Sequence, residues 1–177
     1  MKERKLILYL DTSIIGGYYD DEFSADTRQL FQEVANGNYD IVISDLTLKE
    51  LLKAPDKVKQ LLNSTLSISF KEVTATEECI ELAKEYLIEK VVGQTSLDDC
   101  IHIATATINK IDILVSWNFK HIVNVYRIRG YNSVNLKNGY SPIDIRSPKD
   151  IINYETPMSK TDTQRNDYLG VPSDLKK

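Results

Sequence analysis

The sequence has few cysteines, and its early hydrophobic runs are short. The two cysteines, Cys79 and Cys100, lie in separate segments without C-x-x-C spacing, which argues against zinc and favours free, partly buried thiols. The apolar run Leu6–Leu10 is ended by Asp11, and it is too short for a signal-peptide core or a membrane helix. We therefore expect a cytoplasmic protein.

The sequence also lacks an excess of positive charge. A net charge of -4 and a pI of about 5.3 argue against a protein that binds nucleic acid over a whole face, since such proteins are usually strongly basic. A local basic patch is compatible with these values. Acidic residues concentrated in a metal site would lower the pI without repelling an anionic substrate once a cation is bound.

The composition is that of an ordinary globular protein, with 42% hydrophobic and 27% charged residues. A chain of 177 residues suits one domain with a tail. From Thr156 onward the sequence turns polar and contains Pro157 and Pro172. We expect a domain over residues 1–155 and a polar C-terminal tail over residues 156–177.

Three wholly apolar runs are bounded by polar or turn residues: Leu6–Leu10, Ile41–Ile43 and Ile113–Val115. Runs without alternation are typical of strands that are covered on both faces, as in a parallel sheet between layers of helices. A further edge strand is predicted at Ile143–Ile145. Together with the helical segments between them, these runs predict a doubly wound α/β fold, with a parallel sheet flanked by helices.

The intervening segments carry helical spacing. We predict a helix capped by Ser24 or Asp26 and ended at Asn36-Gly37, and a second helix over residues 76–92 ended by Gly93. Further helices are predicted from Ser96 with an apolar stripe, over residues 119–129 with an end at Gly130, and from Pro148.

Polar groups follow all three apolar strands. Asp11 directly follows the first strand, Glu50 lies on the helix after the second, and Asn118 comes three residues after the third. Ligands bind beyond the carboxyl ends of the strands in open parallel sheets. Asp98 and Asp99 open a helix that can reach the same edge. Clustered carboxylates repel one another, and a hard divalent cation such as Mg²⁺ or Mn²⁺ removes that repulsion.

Each acidic residue also has a structural interpretation. Asp11 could cap a turn, and Glu50 could be a solvated residue paired with a neighbouring lysine, Lys49 or Lys53. Asp99 fits the third position of a capping box that begins at Ser96. The helical periodicity does not decide whether Asp98 or Asp99 faces the sheet edge.

Four segments together resemble the PIN domain family. They are Leu10-Asp11-Thr12-Ser13, Ser44 with Glu50 six residues later, Asp99 to Ala106, and Leu114 to Ile122. The resemblance spans roughly residues 6–152 and implies an α/β fold with a Rossmann-like parallel sheet flanked by helices. It also implies a ribonuclease that depends on Mg²⁺ or Mn²⁺ and cleaves single-stranded RNA by metal-activated water. It also implies a toxin of the VapC kind, with an antitoxin protein as a partner, and we expect a homodimer.

The resemblance also implies roles for individual residues. Its acidic positions fall on Asp11, Glu50 and Asp99 as metal ligands, with Asp98 a neighbour outside the match. The fourth position carries Asn118, where many members of the family have aspartate, so the number of metal ions and the catalytic rate stay open. Hydroxyl groups after the first aspartate assist near the metal in many members, which implicates Thr12 and Ser13.

The basic and aromatic segment from Lys120 to Tyr131 contains the candidate RNA contacts Lys120, Arg127 and Arg129, although a solvated amphipathic helix explains the same pattern. We interpret His102 and His121 as helix-surface residues rather than general bases. A catalytically weak PIN fold that serves as a binding or structural module is the alternative function.

Overall fold

A computed structural model describes residues 4–62 and 69–152 of the protein. Five strands form one wholly parallel sheet in the order β3-β2-β1-β4-β5. The predicted tail over residues 156–177 lies outside the described residues. The strands are β1 Leu6–Leu10, β2 Tyr39–Ser44, β3 Phe70–Val73, β4 Ile113–Val115 and β5 Asp144–Arg146.

Helices connect the strands and cover both faces of the sheet. Within the described ranges, none of these helices is long and apolar enough to cross a membrane. A 3₁₀ turn at Gln94–Ser96 precedes α6. The helices are α1 Thr12–Gly17, α2 Ser24–Ala35, α3 Asp45–Leu51, α4 Asp56–Gln60, α5 Glu77–Ile88, α6 Leu97–Ile108, α7 Val125–Lys137 and α8 Pro148–Ile152.

The uninterrupted apolar strands are explained by two hydrophobic cores, one on each face of the sheet. Tyr9 of β1 packs in the core that contains residues of α5, α6 and α7. Its neighbours Leu8 and Leu10 pack in the core that contains residues of α2 and α8. Alternate strand residues point to opposite faces, and both faces are buried here. The predicted α/β architecture with a parallel sheet between helix layers is confirmed.

The prediction of a helix over residues 119–129 that ends at Gly130 is wrong. Helix α7 begins at Val125, where the Asn124 side chain accepts hydrogen bonds from two backbone N–H groups, and it continues through Gly130 to Lys137. A Cβ atom at Gly130 would lie 2.7 Å from Cγ1 of Val91. The glycine therefore marks a close packing contact inside the helix and not a helix end.

Three smaller boundaries also differ from the prediction. Helix α5 ends at Ile88 and not at the predicted Gly93. The chain leaves the helix at Lys90, which has a φ of 56°. Helix α2 has Phe23 at its N-cap without a side-chain capping bond, so neither Ser24 nor Asp26 caps it. The edge strand β5 lies one residue later than predicted.

The packing at Gly130 gives a stability prediction. Gly130→Ala is expected to destabilise the protein by about 1 kcal/mol, because overpacking against the stiff Val91 side chain outweighs the higher helix propensity of alanine. In a Val91→Ala background the same change should stabilise the protein, since only the propensity difference remains. Urea unfolding of the four proteins measures both effects, and the same sign in both backgrounds would contradict the contact.

Candidate metal and active site

Asp11 lies at the carboxyl end of β1 and caps helix α1. Its carboxylate is 4% exposed and accepts three hydrogen bonds. Oδ1 accepts from the Ser13 hydroxyl at 2.6 Å and from the Ile14 N–H at 3.3 Å, and Oδ2 accepts from the Ser116 hydroxyl at 2.6 Å. The capping contact and the position at the sheet edge are therefore both present.

The electrostatic environment of Asp11 disfavours its charge. Burial raises the pKa of Asp11, and this effect outweighs the favourable interactions with His102 and with the hydroxyl groups of Ser116 and Ser13. A buried carboxylate with a raised pKa is stabilised in its ionised form when a cation binds beside it. Asp11 thus has the environment of a metal ligand that is held in place by two serine hydroxyls.

Glu50 lies on α3 with its side chain 29% exposed. Its Oε2 atom accepts hydrogen bonds from the Thr12 hydroxyl and from Nε2 of His102, the latter at 3.1 Å. Burial raises the pKa of Glu50, but the hydrogen bonds from His102 and Thr12 outweigh it, and the pKa is lowered overall. Glu50 is therefore fixed by hydrogen bonds within the fold and is not a solvated surface residue.

Asp99 is half-buried in the first turn of α6, whereas Asp98 is exposed. The Asn118 amide donates to Oδ1 of Asp99 at 2.9 Å, and Oδ1 of Asn118 accepts from the His121 N–H at 3.0 Å. The structure thus brings Asp99 and Asn118 together across α6 and the connection after β4. Burial raises the pKa of Asp99, opposed mainly by the neighbouring His121 and His102.

The capping box proposed for Ser96 and Asp99 does not form. Ser96 makes no side-chain capping bond, and its backbone N–H donates to the carbonyl of Gly93 at 3.0 Å. Its hydroxyl is instead 3.3 Å from Nδ1 of His121. Asp99 is therefore free of a capping role and is directed towards Asn118.

Glu50 and Asp99 interact electrostatically with each other, and Asp11 interacts with His102, but the three carboxylates do not form a complete coordination shell. Glu50 raises the pKa of Asp99, and His102 lowers the pKa of Asp11, Glu50 and Asp99. Among the residues that the structure describes, no three acidic, histidine or cysteine side chains converge closely enough to coordinate one ion. Mg²⁺ is usually bound through one or two carboxylates with water completing its octahedron, so this oxygen-rich donor set fits that ion.

The interpretation of His102 as a helix-surface residue is wrong. Its ring is 3% exposed and lies between Glu50 and Tyr9, with Nδ1 at 2.7 Å from the Tyr9 hydroxyl. The sequence does contain a signal for this position, since His102 follows Asp99 by three residues and therefore shares its face of the helix. Ser116, whose hydroxyl donates to Asp11, was also not predicted from the sequence.

The candidate RNA contacts are in different environments. Lys120 is exposed in the turn that begins at Asn118, whereas Arg129 is exposed on α7. Arg127 is half-buried, and its guanidinium donates to the carbonyl of Val91 at 2.7 Å. Arg127 therefore fixes the packing of α7, whereas the side chains of Lys120 and Arg129 are exposed.

The sheet and its polar edge define an α/β protein of the Rossmann-like class, with Asp11 at the carboxyl end of its central strand. The family model described as "PIN domain" matches residues 8–121, which is more than half of the chain. The chain belongs to the PIN domain family. Members of this family are generally nucleases that use divalent metals, which supports a phosphodiester hydrolase.

Two solved structures are similar in fold. The VapBC2 complex of Rickettsia felis, bound to a promoter DNA fragment, matches with 18% identity and a TM-score of 0.50. FitAcB of Neisseria gonorrhoeae matches with 14% identity and a TM-score of 0.53. Each alignment covers 80% of this chain and 98% of the other chain. At these identities the similarity shows the fold alone. No curated protein matches the chain significantly.

Proposed function

We propose that this protein is an endoribonuclease that hydrolyses single-stranded RNA with the help of Mg²⁺ or Mn²⁺. The proposal is carried by the position of Asp11, a buried carboxylate with a raised pKa at the carboxyl edge of the central strand in a chain of the PIN family. Asp99 and Glu50 interact electrostatically across the same region. The substrate class follows from the resemblance described above.

Asp11, Glu50 and Asp99 would bind the metal ion, one or two of them directly and the rest through its water shell. The ion would supply charge neutralisation at the phosphate and a water of lowered pKa. The chain's own residues hold these ligands in place. The Ser13 and Ser116 hydroxyls orient the two oxygens of Asp11, and Thr12 orients Glu50. The Asn118 amide holds one oxygen of Asp99, so its other oxygen is available to a cation.

Cleavage of matched substrates tests this function. With Mn²⁺ present, we expect internal cuts in a labelled single-stranded RNA and much slower cleavage of the same sequence as DNA or as duplex RNA. Attack by water leaves no 2′,3′-cyclic phosphate, whereas attack by the neighbouring 2′-hydroxyl does. Equal cleavage of DNA, or products that carry a cyclic phosphate, would overturn the proposal.

We also propose that the protein is the toxin of a toxin–antitoxin pair. VapBC2 and FitAcB are among the structures similar to this chain, each with an identity below 20%. Exposed apolar side chains on α7, among them Val125 and Tyr126, suit contact with a protein partner. Co-expression with the product of the adjacent gene should yield a complex that does not cleave RNA.

The expected homodimer is tested separately, by the apparent mass of the free protein in size-exclusion chromatography.

The alternative of a catalytically weak module is favoured by one observation. Asn118 occupies the fourth acidic position of the resemblance, and its amide group donates to Asp99 instead of adding a negative charge. This alternative and the nuclease differ in one result, because a binding module would retain RNA without cleaving it.

Divalent metal is expected to stabilise the fold. A ligand that binds only the native state at a hundredfold excess over its Kd adds about 2.7 kcal/mol to the free energy of unfolding. Thermal melts with Mg²⁺, Mn²⁺ and EDTA measure the effect. A melting temperature that does not respond to millimolar concentrations of either ion would contradict the site.

Asn118→Asp is expected to tighten metal binding while it destabilises the metal-free protein. The site carries formally three negative charges with Asn118, so we expect one bound ion in the wild type. The substitution replaces a hydrogen bond to Asp99 by a second carboxylate, which costs about 1–3 kcal/mol without a cation and provides another oxygen ligand with one.

The matched control for this prediction is Asn118→Ala, which removes the same hydrogen bond without adding charge. It should lower the stability of the metal-free protein and should not tighten Mn²⁺ binding. Calorimetric titration of the three proteins with Mn²⁺ gives affinity and stoichiometry. Unchanged affinity in Asn118→Asp, or two tight sites in the wild type, would show that Asn118 does not face the metal.

A further inference from the structure

A buried chain of hydrogen bonds leads from β2 to Glu50. The Thr47 N–H donates to the Ser44 hydroxyl at 3.2 Å, and that hydroxyl is 2.7 Å from the Tyr9 hydroxyl. The Tyr9 hydroxyl is 2.7 Å from Nδ1 of His102, whose Nε2 is 3.1 Å from Oε2 of Glu50. Tyr9 and Ser44 are fully buried and His102 is almost so.

The direction of this chain follows from its two ends. An ionised carboxylate only accepts hydrogen bonds, so Nε2 of His102 must donate to Glu50. In a neutral imidazole, Nδ1 then accepts from the Tyr9 hydroxyl. The Tyr9 hydroxyl can both donate and accept, so it can donate to Nδ1 while it accepts from Ser44. The Ser44 hydroxyl completes the chain, because it donates to Tyr9 while it accepts from Thr47.

The chain acts on one oxygen of Glu50. The Thr12 hydroxyl and Nε2 of His102 both donate to Oε2. Both side-chain hydrogen bonds that Glu50 accepts within residues 4–62 and 69–152 fall on Oε2 and not on Oε1. Oε1 is therefore the atom that a cation can bind, and its direction is set by the two donors on Oε2.

We propose that His102, held by Tyr9 and Ser44, is a positioning residue that fixes Glu50 for metal binding. The inference rests on the proposed metal-dependent function and goes beyond the acidic residues implied by the family resemblance. A histidine that is buried between two helices and the sheet limits the rotamers of Glu50, as hydrogen-bond partners of metal ligands commonly do. His102 itself does not bind the metal in this arrangement.

The inference is tested by Mn²⁺ affinity, measured by calorimetry on metal-free protein. His102→Leu removes the donor to Glu50, and we expect Mn²⁺ to bind about 10–100-fold more weakly. His102→Gln retains an N–H donor near the position of Nε2 and should recover part of that loss. Tyr9→Phe leaves the packing almost intact and removes only the hydroxyl that holds His102, so it should weaken binding less than His102→Leu.

Tyr86→Phe is the matched control for Tyr9→Phe. Tyr86 is also fully buried, and its hydroxyl donates to Asn135, away from the acidic residues. Both substitutions should lower the melting temperature, but only Tyr9→Phe should weaken Mn²⁺ binding. If the wild type binds Mn²⁺ and Tyr9→Phe binds it equally tightly, the positioning role of His102 is overturned while the proposed function stands. If the wild type binds no Mn²⁺, the proposed function fails as well.

Discussion

Asp11→Asn is expected to abolish metal-dependent RNA cleavage and to raise the melting temperature of the metal-free protein. The amide keeps the shape of the side chain and still accepts the capping hydrogen bond from Ile14, since asparagine is a good N-cap residue. It removes a buried negative charge that the metal-free fold disfavours. Loss of several kcal/mol of charge stabilisation in the transition state corresponds to a rate loss of about 1,000-fold or more.

The stability gain should depend on pH. Because the folded-state pKa of Asp11 is raised, its contribution to wild-type stability is fully present below the unfolded value of 3.8 and is lost as the pH rises through the folded pKa. The asparagine variant has no such loss. Its advantage should therefore be absent near pH 3 and should grow to about 1 kcal/mol at neutral pH, which is about 2–4 °C in melting temperature.

The control for Asp11→Asn is Asp20→Asn, which neutralises an exposed carboxylate that also accepts backbone hydrogen bonds. This change should leave cleavage unaltered. Thermal melts between pH 3 and pH 8 in EDTA, together with cleavage rates in Mn²⁺, give both quantities. Retained cleavage in Asp11→Asn would remove this residue from the site.

Asp99→Asn is expected to remove activity and to weaken metal binding strongly, whereas Asp98→Asn should leave most of both. The two residues share the first turn of α6, so each substitution removes the same charge from the same helix terminus. Only Asp99 contacts Asn118 and is coupled to Glu50. Asp98 is exposed.

Because Asp98 and Asp99 are neighbours on one helix, Asp98→Asn is the matched control for Asp99→Asn. Mn²⁺ titration and cleavage rates should separate the two variants by about 100-fold or more. If Asp98→Asn is the variant without activity, α6 is rotated in solution relative to the arrangement described above. Equal activity of both variants would show that neither carboxylate contributes.

The sheet could be predicted from the sequence because strands that are buried on both faces carry no alternation. Leu8, Tyr9 and Leu10 are all fully buried, in two different cores, and therefore form one apolar run. Strand β3, in contrast, has only four residues, and both central ones are exposed at the sheet edge. Such a strand has no apolar run, which explains why the sequence analysis did not find it.

Helix α7 shows a different limit of sequence reasoning. Gly130 resembles a helix end, because glycine is common there. Its actual role is to avoid a clash with Val91, which is distant in sequence. A contact of this kind depends on the tertiary structure, and a single sequence contains no local signal for it.

The position of the candidate site could be predicted from the sequence, but the hydrogen bonds between its residues could not. Asp11 follows β1, and the rule for parallel sheets places it at the ligand-binding edge. The helical wheel could not choose between Asp98 and Asp99, and the choice depends on the contact with Asn118 from another part of the chain. His102 was misjudged because its burial follows from packing against Tyr9 and Glu50, both distant in sequence.

The most direct test of the central claim is metal-dependent cleavage of a labelled single-stranded RNA under single-turnover conditions. Metal-stripped wild type should be inactive in EDTA and should recover cleavage when Mn²⁺ is restored. Asp98→Asn should recover in the same way, and Asp11→Asn should not. Cleavage that persists in EDTA, or that returns equally in Asp11→Asn, would contradict a metal site built on Asp11, Glu50 and Asp99.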